Sequence, residues 1–310
     1  MKPPLKIAFA DFWPNFDPYD NYLTNLLTPH FDLEHTAEPD FLIFSCFGQA
    51  HHQYSCIKIF YTAENVRPDF GVCDYAFSFD FLDRPEHFRL PQYAWYEPER
   101  LVKRAFDPER VLAEKTRFCN FVVSNPICRK RNRFFEKLSA YKQVDSGGRY
   151  RNNVGGPVPD KEAFIRDYKF TIAFENAAYP GYTTEKLTDP MKAESLPVYW
   201  GNPLVHREFN TASFLNYDDY GSDEALIERI IELDQNDDLY LAYLREPWLH
   251  GNLLSDEILP SAVLERFRRI FATARRPVAR SRYYFFHRVK DHARHNSAKL
   301  VRGMKRKLAA

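Results

Sequence analysis

This chain of 310 residues is poor in cysteine. It has five, Cys46, Cys56, Cys73, Cys119 and Cys128, scattered, odd in number and without a CxxC spacing. Such a set argues against a disulfide framework. With no His-x-x-x-His pairing beside it, it also argues against a structural zinc site. Long apolar runs are missing. No stretch approaches the ~18 residues that a membrane span needs, and the start, MKPPLKIAFADFW, holds too short an apolar run for a signal peptide. No Asn-x-Ser/Thr sequon occurs, nor any repeat of fixed period or low-complexity tract. A reducing, cytoplasmic setting is the simplest expectation. Also absent are the GxxxxGK[ST] phosphate loop, the GxGxxG fingerprint and the GxSxG elbow, so nucleotide-driven motors and hydrolases of those types lose ground.

What is present is the composition of a globular protein, 45% hydrophobic and 27% charged, with room for two domains. The aromatic share, 16%, is high; aromatics fill cores first, and they also form platforms for sugars and bases. The net charge of +1 hides an asymmetry. Residues 275–310 hold twelve Lys or Arg against one acid, Asp291, while the remaining 274 residues carry 31 basic and 41 acidic side chains. A basic tail on an acidic body points to an anionic partner away from any active site.

Strand-like runs at Leu5–Ala10, Phe41–Phe44, Ile57–Tyr61 and Tyr75–Phe79 alternate with loops, and Asn21–Leu27 reads as a helix. This predicts an α/β domain over 1–114, whose end is the charged, Pro-containing stretch from Glu97 to Lys115. A second α/β domain over 115–274 follows. Its expected elements are a strand at Phe118–Ser124, a helix at Arg131–Tyr141, a Gly- and Asn-rich loop at Asp145–Gly156 and a short helix at Lys161–Tyr168. Helices at Asp223–Leu233 and Glu257–Thr273 complete it. The reading is two α/β halves facing a cleft.

The most informative segment is 171–201, TIAFENAAYPGYTTEKLTDPMKAESLPVYWG. A strand ending at Phe174 gives way to a loop with Pro180 and Gly181. Thr183 or Thr184 can then cap a helix carrying Glu185 and Lys186 in its first turn, and a second strand, Leu196–Trp200, closes at Gly201. Ligands in open α/β sheets bind beyond the carboxyl ends of strands, and helix N-termini suit phosphate. Lys186 offers a cation, Glu185 a carboxylate for ribose hydroxyls, and Tyr182 a ring or hydroxyl; the plainer alternative is a capped helix with an exposed Glu-Lys pair. Two further clusters sit where strands end. Glu64 in Tyr61-Thr62-Ala63-Glu64-Asn65 is either a solvated loop acid or a general base. Four cations at 129–133, Arg131 among them, are either a solvated helix face or a diphosphate clamp. His51-His52 has no further ligand at metal spacing and reads as a polar loop.

FYTAEN at 60–65, SNP at 124–126 with Arg131 beyond, FENAAYPGYTTEK at 174–186 and LPVYWG at 196–201 resemble the bacterial α1,3/4-fucosyltransferases over residues ~57 to ~215. The resemblance implies two Rossmann-like domains in the GT-B architecture, with an N-terminal acceptor-binding domain and a C-terminal GDP-sugar-binding domain. It also implies an inverting transfer of fucose from GDP-fucose, with no essential metal or cofactor, to a hydroxyl (O3) of an N-acetylglucosamine or glucose unit. Glu64 matches the acid proposed as general base. Arg131 and Lys186 match cations that bind the diphosphate, and Asn176, Tyr182 and Glu185 match donor-site residues. Two departures stand out: Ala63 replaces a common Gly, and no heptad repeats precede the basic end.

The tail places Phe286, Val289, Ala293, Leu300 and Met304 along one helical face among cations. It reads as a basic amphipathic anchor at the inner face of the cytoplasmic membrane. An oligosaccharide or lipopolysaccharide acceptor would suit that placement. A solvated tail and a nucleic-acid patch are the other readings, the second disfavoured by the acidic body. For the chain as a whole, the same fold with another GDP-sugar and a non-catalytic glycan- or membrane-binding module are the alternatives.

Overall fold

Runs such as Phe41-Leu42-Ile43-Phe44 and, with Lys58 as its one polar member, Ile57-Lys58-Ile59-Phe60-Tyr61 are buried on both faces, as strands covered on both sides of a parallel sheet are. In the computed structural model, which describes residues 4–104, 106–273, 277, 289–290, 292–294 and 296–297, they form the middle of such a sheet. Its strands are β1 (Leu5–Ala10), β2 (Leu33–His35), β3 (Phe41–Phe44), β4 (Ile57–Tyr61), β5 (Tyr75–Ser78) and β6 (His87–Arg89). Their order is β2-β1-β3-β4-β5-β6, all parallel. The helix α1 (Tyr22–Leu27) starts where Asn21 accepts hydrogen bonds from the Leu23 and Thr24 amides.

The second sheet is again parallel, in the order β11-β10-β9-β7-β8. Its part of the chain runs α2 (Pro108–Glu114), β7 (Arg117–Phe121), α3 (Arg129–Tyr141), β8 (Val144–Ser146), α4 (Lys161–Arg166), β9 (Tyr168–Phe174), α5 (Glu185–Lys192), β10 (Leu196–Trp200), β11 (Leu215–Asn216), α6 (Asp223–Gln235) and α7 (Asp237–Arg245). On α3, residues 131, 134, 135 and 138 are buried, the spacing of one helical face. Phe134 stacks on Phe174 of β9 at 4.7 Å, and Phe121 of β7 on Phe135 at 4.8 Å. Each sheet has its own apolar core.

The fold class is as expected, two Rossmann-like α/β units, but the division of the chain differs. Among the described residues one unit comprises 4–95 together with 255–273; the other is Tyr96–Leu254. The expected ends of the two domains, at 114 and at 274, are therefore corrected to 95 and 254, for two physical reasons. Val111 of α2 is fully buried in the second core. The helix α8 (Pro260–Thr273) returns to the first unit, where Phe267 stacks on Phe77 of β5 at 4.6 Å and Phe271 meets Phe41 at 4.8 Å and Phe31 at 5.2 Å. The polar loop expected at His51-His52 is also corrected. Both rings are buried in a turn of 3-10 helix at Ala50–Gln53; His51 stacks on Phe44 at 4.3 Å, and its Nδ1 lies 2.5 Å from Asp11. Most of the tail at 275–310 lies outside the described residues, Phe286, Leu300 and Met304 included; Val289 and Ala293 are helical and exposed. Among the described residues no helix is long and apolar enough to cross a membrane.

Candidate active site

In the second sheet the chain leaves β7 toward β8 on one side and then crosses to β9 on the other, so β7 and β9 form the switch point. Loops diverge there and leave room for a ligand beyond the carboxyl ends. Arg131, from the first turn of α3, sits at this point with no exposed surface. One Nη donates to the Phe174 carbonyl at 3.1 Å and to Asn176 Oδ1 at 2.9 Å, and the other to the Asn125 carbonyl at 2.7 Å. A single guanidinium thus ties the end of β9 to the loop after β7. The other cations of the cluster go elsewhere: Arg133 pairs with Asp223 at 2.9 Å, and Lys130 lies over the Tyr217 ring at 3.5 Å.

Glu175, the first residue past β9, is completely buried. Its Oε1 accepts the Thr184 amide at 2.7 Å, and its Oε2 the Thr184 hydroxyl at 2.8 Å. Thr184 in turn caps α5, accepting from the Lys186 amide at 3.3 Å. The Lys186 ammonium lies 3.4 Å from Glu175 and 3.2 Å from Glu185. Burial pushes the Lys186 pKa down, but Glu175 and then Glu185 more than offset this and hold it above the ordinary lysine range. Burial alone pushes Glu185 up; Lys186 and Lys161 overcome it and bring its pKa down to about 2. Burial leaves Glu175 raised, against the pull of Lys186 and the Thr184 donors. One ammonium is therefore held charged at the mouth of a helix N-terminus.

The loop from Asn176 to Thr184 is fixed from below by Asn202. Its Oδ1 accepts from the Gly181 amide at 2.7 Å, its Nδ2 donates to Thr183 Oγ1 at 3.0 Å, and its own amide donates to Tyr199 Oη at 2.9 Å. Gly181 has φ 84, where a side chain is strained. At Gly201 a Cβ would lie 2.3 Å from Glu175 Cγ and 2.9 Å from Tyr199 Oη, so only glycine leaves room for the buried acid.

The structure thus gathers Arg131, Asn176, Glu185 and Lys186 at one sheet edge, with Tyr182 on the same loop and only 2% exposed. Arg131 and Tyr182 are packed, whereas the Glu185 side chain keeps 35% of its surface and Lys186 keeps 19%. Glu64 belongs to the other unit, in the loop after β4. Its amide donates to Thr62 Oγ1 at 3.0 Å, and the side chain is half-buried. Among the described residues nothing bonds to its carboxylate, which leaves both oxygens open to accept a proton. Sequence reasoning missed Glu175, Asn202 and the close fit at Gly201. The signal for the first was an acid placed directly after an apolar strand. Among the described residues no group of three or more His, Cys, Asp or Glu is placed to hold a metal ion.

Residues 7–96 match the family described as Alpha-(1,3)-fucosyltransferase FucT N-terminal domain, and residues 112–250 match Glycosyltransferase family 10 (fucosyltransferase) C-term. The chain belongs to glycosyltransferase family 10. The first match ends one residue past the division at Trp95/Tyr96, and the second lies inside Tyr96–Leu254. A relative, the alpha-(1,3)-fucosyltransferase FucT of Helicobacter pylori, is 30% identical over 289 residues, 79% of this chain; the chain spans 60% of that relative's length. GDP-fucose protein O-fucosyltransferase 3 of Xenopus laevis is 34% identical over 148 residues, 44% of this chain and 31% of its own length. A solved alpha1,3-fucosyltransferase structure with GDP-fucose superposes with a TM-score of 0.74 at 28% identity, covering 88% of this chain and 91% of that one. Two Rossmann-like α/β units in one chain are thus the fold shared with that fucosyltransferase.

Proposed function

We propose that this family 10 chain transfers fucose from GDP-fucose, with inversion, to a hydroxyl (O3) of an N-acetylglucosamine or glucose unit in a glycan. The observation that carries the reading is the Glu175–Lys186–Glu185 group at the N-terminus of α5: a lysine kept charged beside an accessible carboxylate, where a nucleoside diphosphate fits. The likeness to a solved fucosyltransferase with GDP-fucose supports fucose as the sugar.

In this mechanism the acceptor oxygen attacks the anomeric carbon from the face opposite the diphosphate as the bond from that carbon to the diphosphate oxygen breaks. The acceptor proton passes to Glu64. Lys186 meets the charge growing on the leaving GDP at close range, and Arg131 adds its positive charge from beneath the strand ends while keeping Asn176 in place. Glu185 accepts from the ribose hydroxyls, and Tyr182 packs the donor loop. The charge on the leaving group is met by side chains, so turnover proceeds in EDTA without added metal or cofactor.

Measuring GDP release from GDP-fucose and from other GDP-sugars, with lactose or N-acetyllactosamine as acceptor, tests this. Turnover is expected with GDP-fucose, and none with it in any acceptor sample would end the reading. The basic tail supports a peripheral site of action on a lipid-linked acceptor such as lipopolysaccharide. Removing residues 281–310 should then abolish sedimentation with anionic liposomes and spare transfer to soluble acceptors; retained sedimentation would refute the anchor.

A further inference from the structure

Past β1 the chain reads Asp11-Phe12-Trp13-Pro14-Asn15-Phe16. Trp13 keeps 38% of its surface exposed although three rings brace it edge-on, Phe16 at 5.2 Å, Phe12 at 5.6 Å and Phe47 at 6.3 Å. Phe12 also stacks on Phe16 at 4.0 Å and reaches Tyr61 at 6.2 Å. Tyr61 is the last residue of β4, three before Glu64. The strands β1 and β4 flank β3, with Ala10, Phe44 and Phe60 level in register. Their ends are therefore two strand spacings, ~10 Å, apart. A row of rings runs along the sheet edge from Trp13 to the loop of Glu64.

The row is held in place. Asp11, at φ 59, accepts the Ala50 amide at 2.8 Å, the His51 amide at 2.9 Å and His51 Nδ1 at 2.5 Å, while its carbonyl accepts the Phe47 amide at 2.9 Å. The same aspartate thus fixes the turn before Trp13 and the segment that carries Phe47. Single exposed apolar residues are common. An indole braced by three rings, at the carboxyl edge where ligands of parallel sheets bind, is a different arrangement. A hexopyranose presents a face of C–H groups, which covers an aromatic ring, and a rim of hydroxyls, which leaves one free for a base.

We propose that Trp13 is the stacking platform for a neutral hexopyranose of the acceptor glycan, on the edge that carries Glu64. This rests on the transferase reading in taking the ligand to be the acceptor. Initial rates with N-acetyllactosamine and GDP-fucose would be compared for the wild type, Trp13→Ala, Trp13→Leu and Trp13→Phe, alongside saturation-transfer NMR of N-acetyllactosamine on each protein. The Ala and Leu variants should raise the acceptor KM about ten-fold and leave the GDP-fucose KM within about two-fold, with Phe restoring most of the loss. Leu keeps apolar bulk, so it reads the ring's role if the Ala variant fails to fold. An unchanged acceptor KM in the Leu variant, or an equal rise for donor and acceptor, overturns the platform. Were the wild type not to turn over GDP-fucose, the transferase reading alone would fall. Sugar saturation transfer present in the wild type and lost in the Leu variant would still support the platform; its absence from the wild type or persistence in the variant would overturn it.

Discussion

The Glu175 carboxylate, with no exposed surface, lies 3.4 Å from the Lys186 ammonium and also accepts the amide and hydroxyl of Thr184. One acid therefore fixes both the cap of α5 and the cation beside it. Replacing Glu175 by Gln keeps the shape and removes the charge, leaving Lys186 with Glu185 alone. We expect a loss of ~1–3 kcal/mol in denaturant unfolding and weaker GDP binding by calorimetry. Unaltered GDP affinity would show that Lys186 does not need this partner.

Gly201→Ala tests the same acid sterically. The new methyl would displace Glu175, whose Cγ lies 2.3 Å from the ideal Cβ position. A cost of ~1–3 kcal/mol is expected, together with reduced GDP binding. A variant as stable as the parent would mean that the strand end yields easily.

Glu64→Gln should lower kcat by ~10²–10⁴ while GDP binding and the melting temperature stay where they were. The carboxylate carries no bond from the described residues, so its loss leaves the fold undisturbed. A matching fall in stability would assign Glu64 a structural role instead.

Acid should unfold the second unit through Glu185. Its pKa is near 4.5 in the unfolded chain and about 2 in the fold, so the fold favours the ionised form. That contribution is full above pH ~4.5 and is lost as pH falls toward ~2. In Glu185→Gln the stability curve over this window should be flatter. Identical acid curves for the two proteins would count against the interaction with Lys186.

Phe267→Ala removes the ring that stacks on Phe77 at 4.6 Å and is expected to cost ~3–5 kcal/mol. The loss should appear as unfolding of the first unit, followed by hydrogen exchange in β5. Undiminished protection there would place α8 outside that core.

Much of the fold was legible because buried parallel strands announce themselves. Leu5–Ala10, Phe41–Phe44, Ile57–Tyr61 and Leu196–Trp200 have the extents their apolar runs suggest. Short edge strands such as Leu33–His35 and Val144–Ser146 went unread, since three residues carry no period and their pairing comes from neighbours distant in sequence. The helix Pro260–Thr273 was readable as a helix. Its partner was not, because an apolar stripe does not name the surface it will cover. The same limit applied at the candidate site. Lys186 and Glu185 stood out by their place at a helix start. The role of Glu175 depends on Thr184 and Gly201 closing around it, and the burial of Arg131 on the carbonyls of Asn125 and Phe174.

The return of the chain to its first unit has a consequence for synthesis. The rings of Phe31, Phe41 and Phe77 wait for α8, which emerges only after the ~160 residues of the second unit. At about 5–20 residues per second, translation leaves that face uncovered for roughly 8–30 s. The second unit, being contiguous, can complete itself meanwhile. In the cell the nascent N-terminal part of the first unit is therefore the part that calls on chaperones.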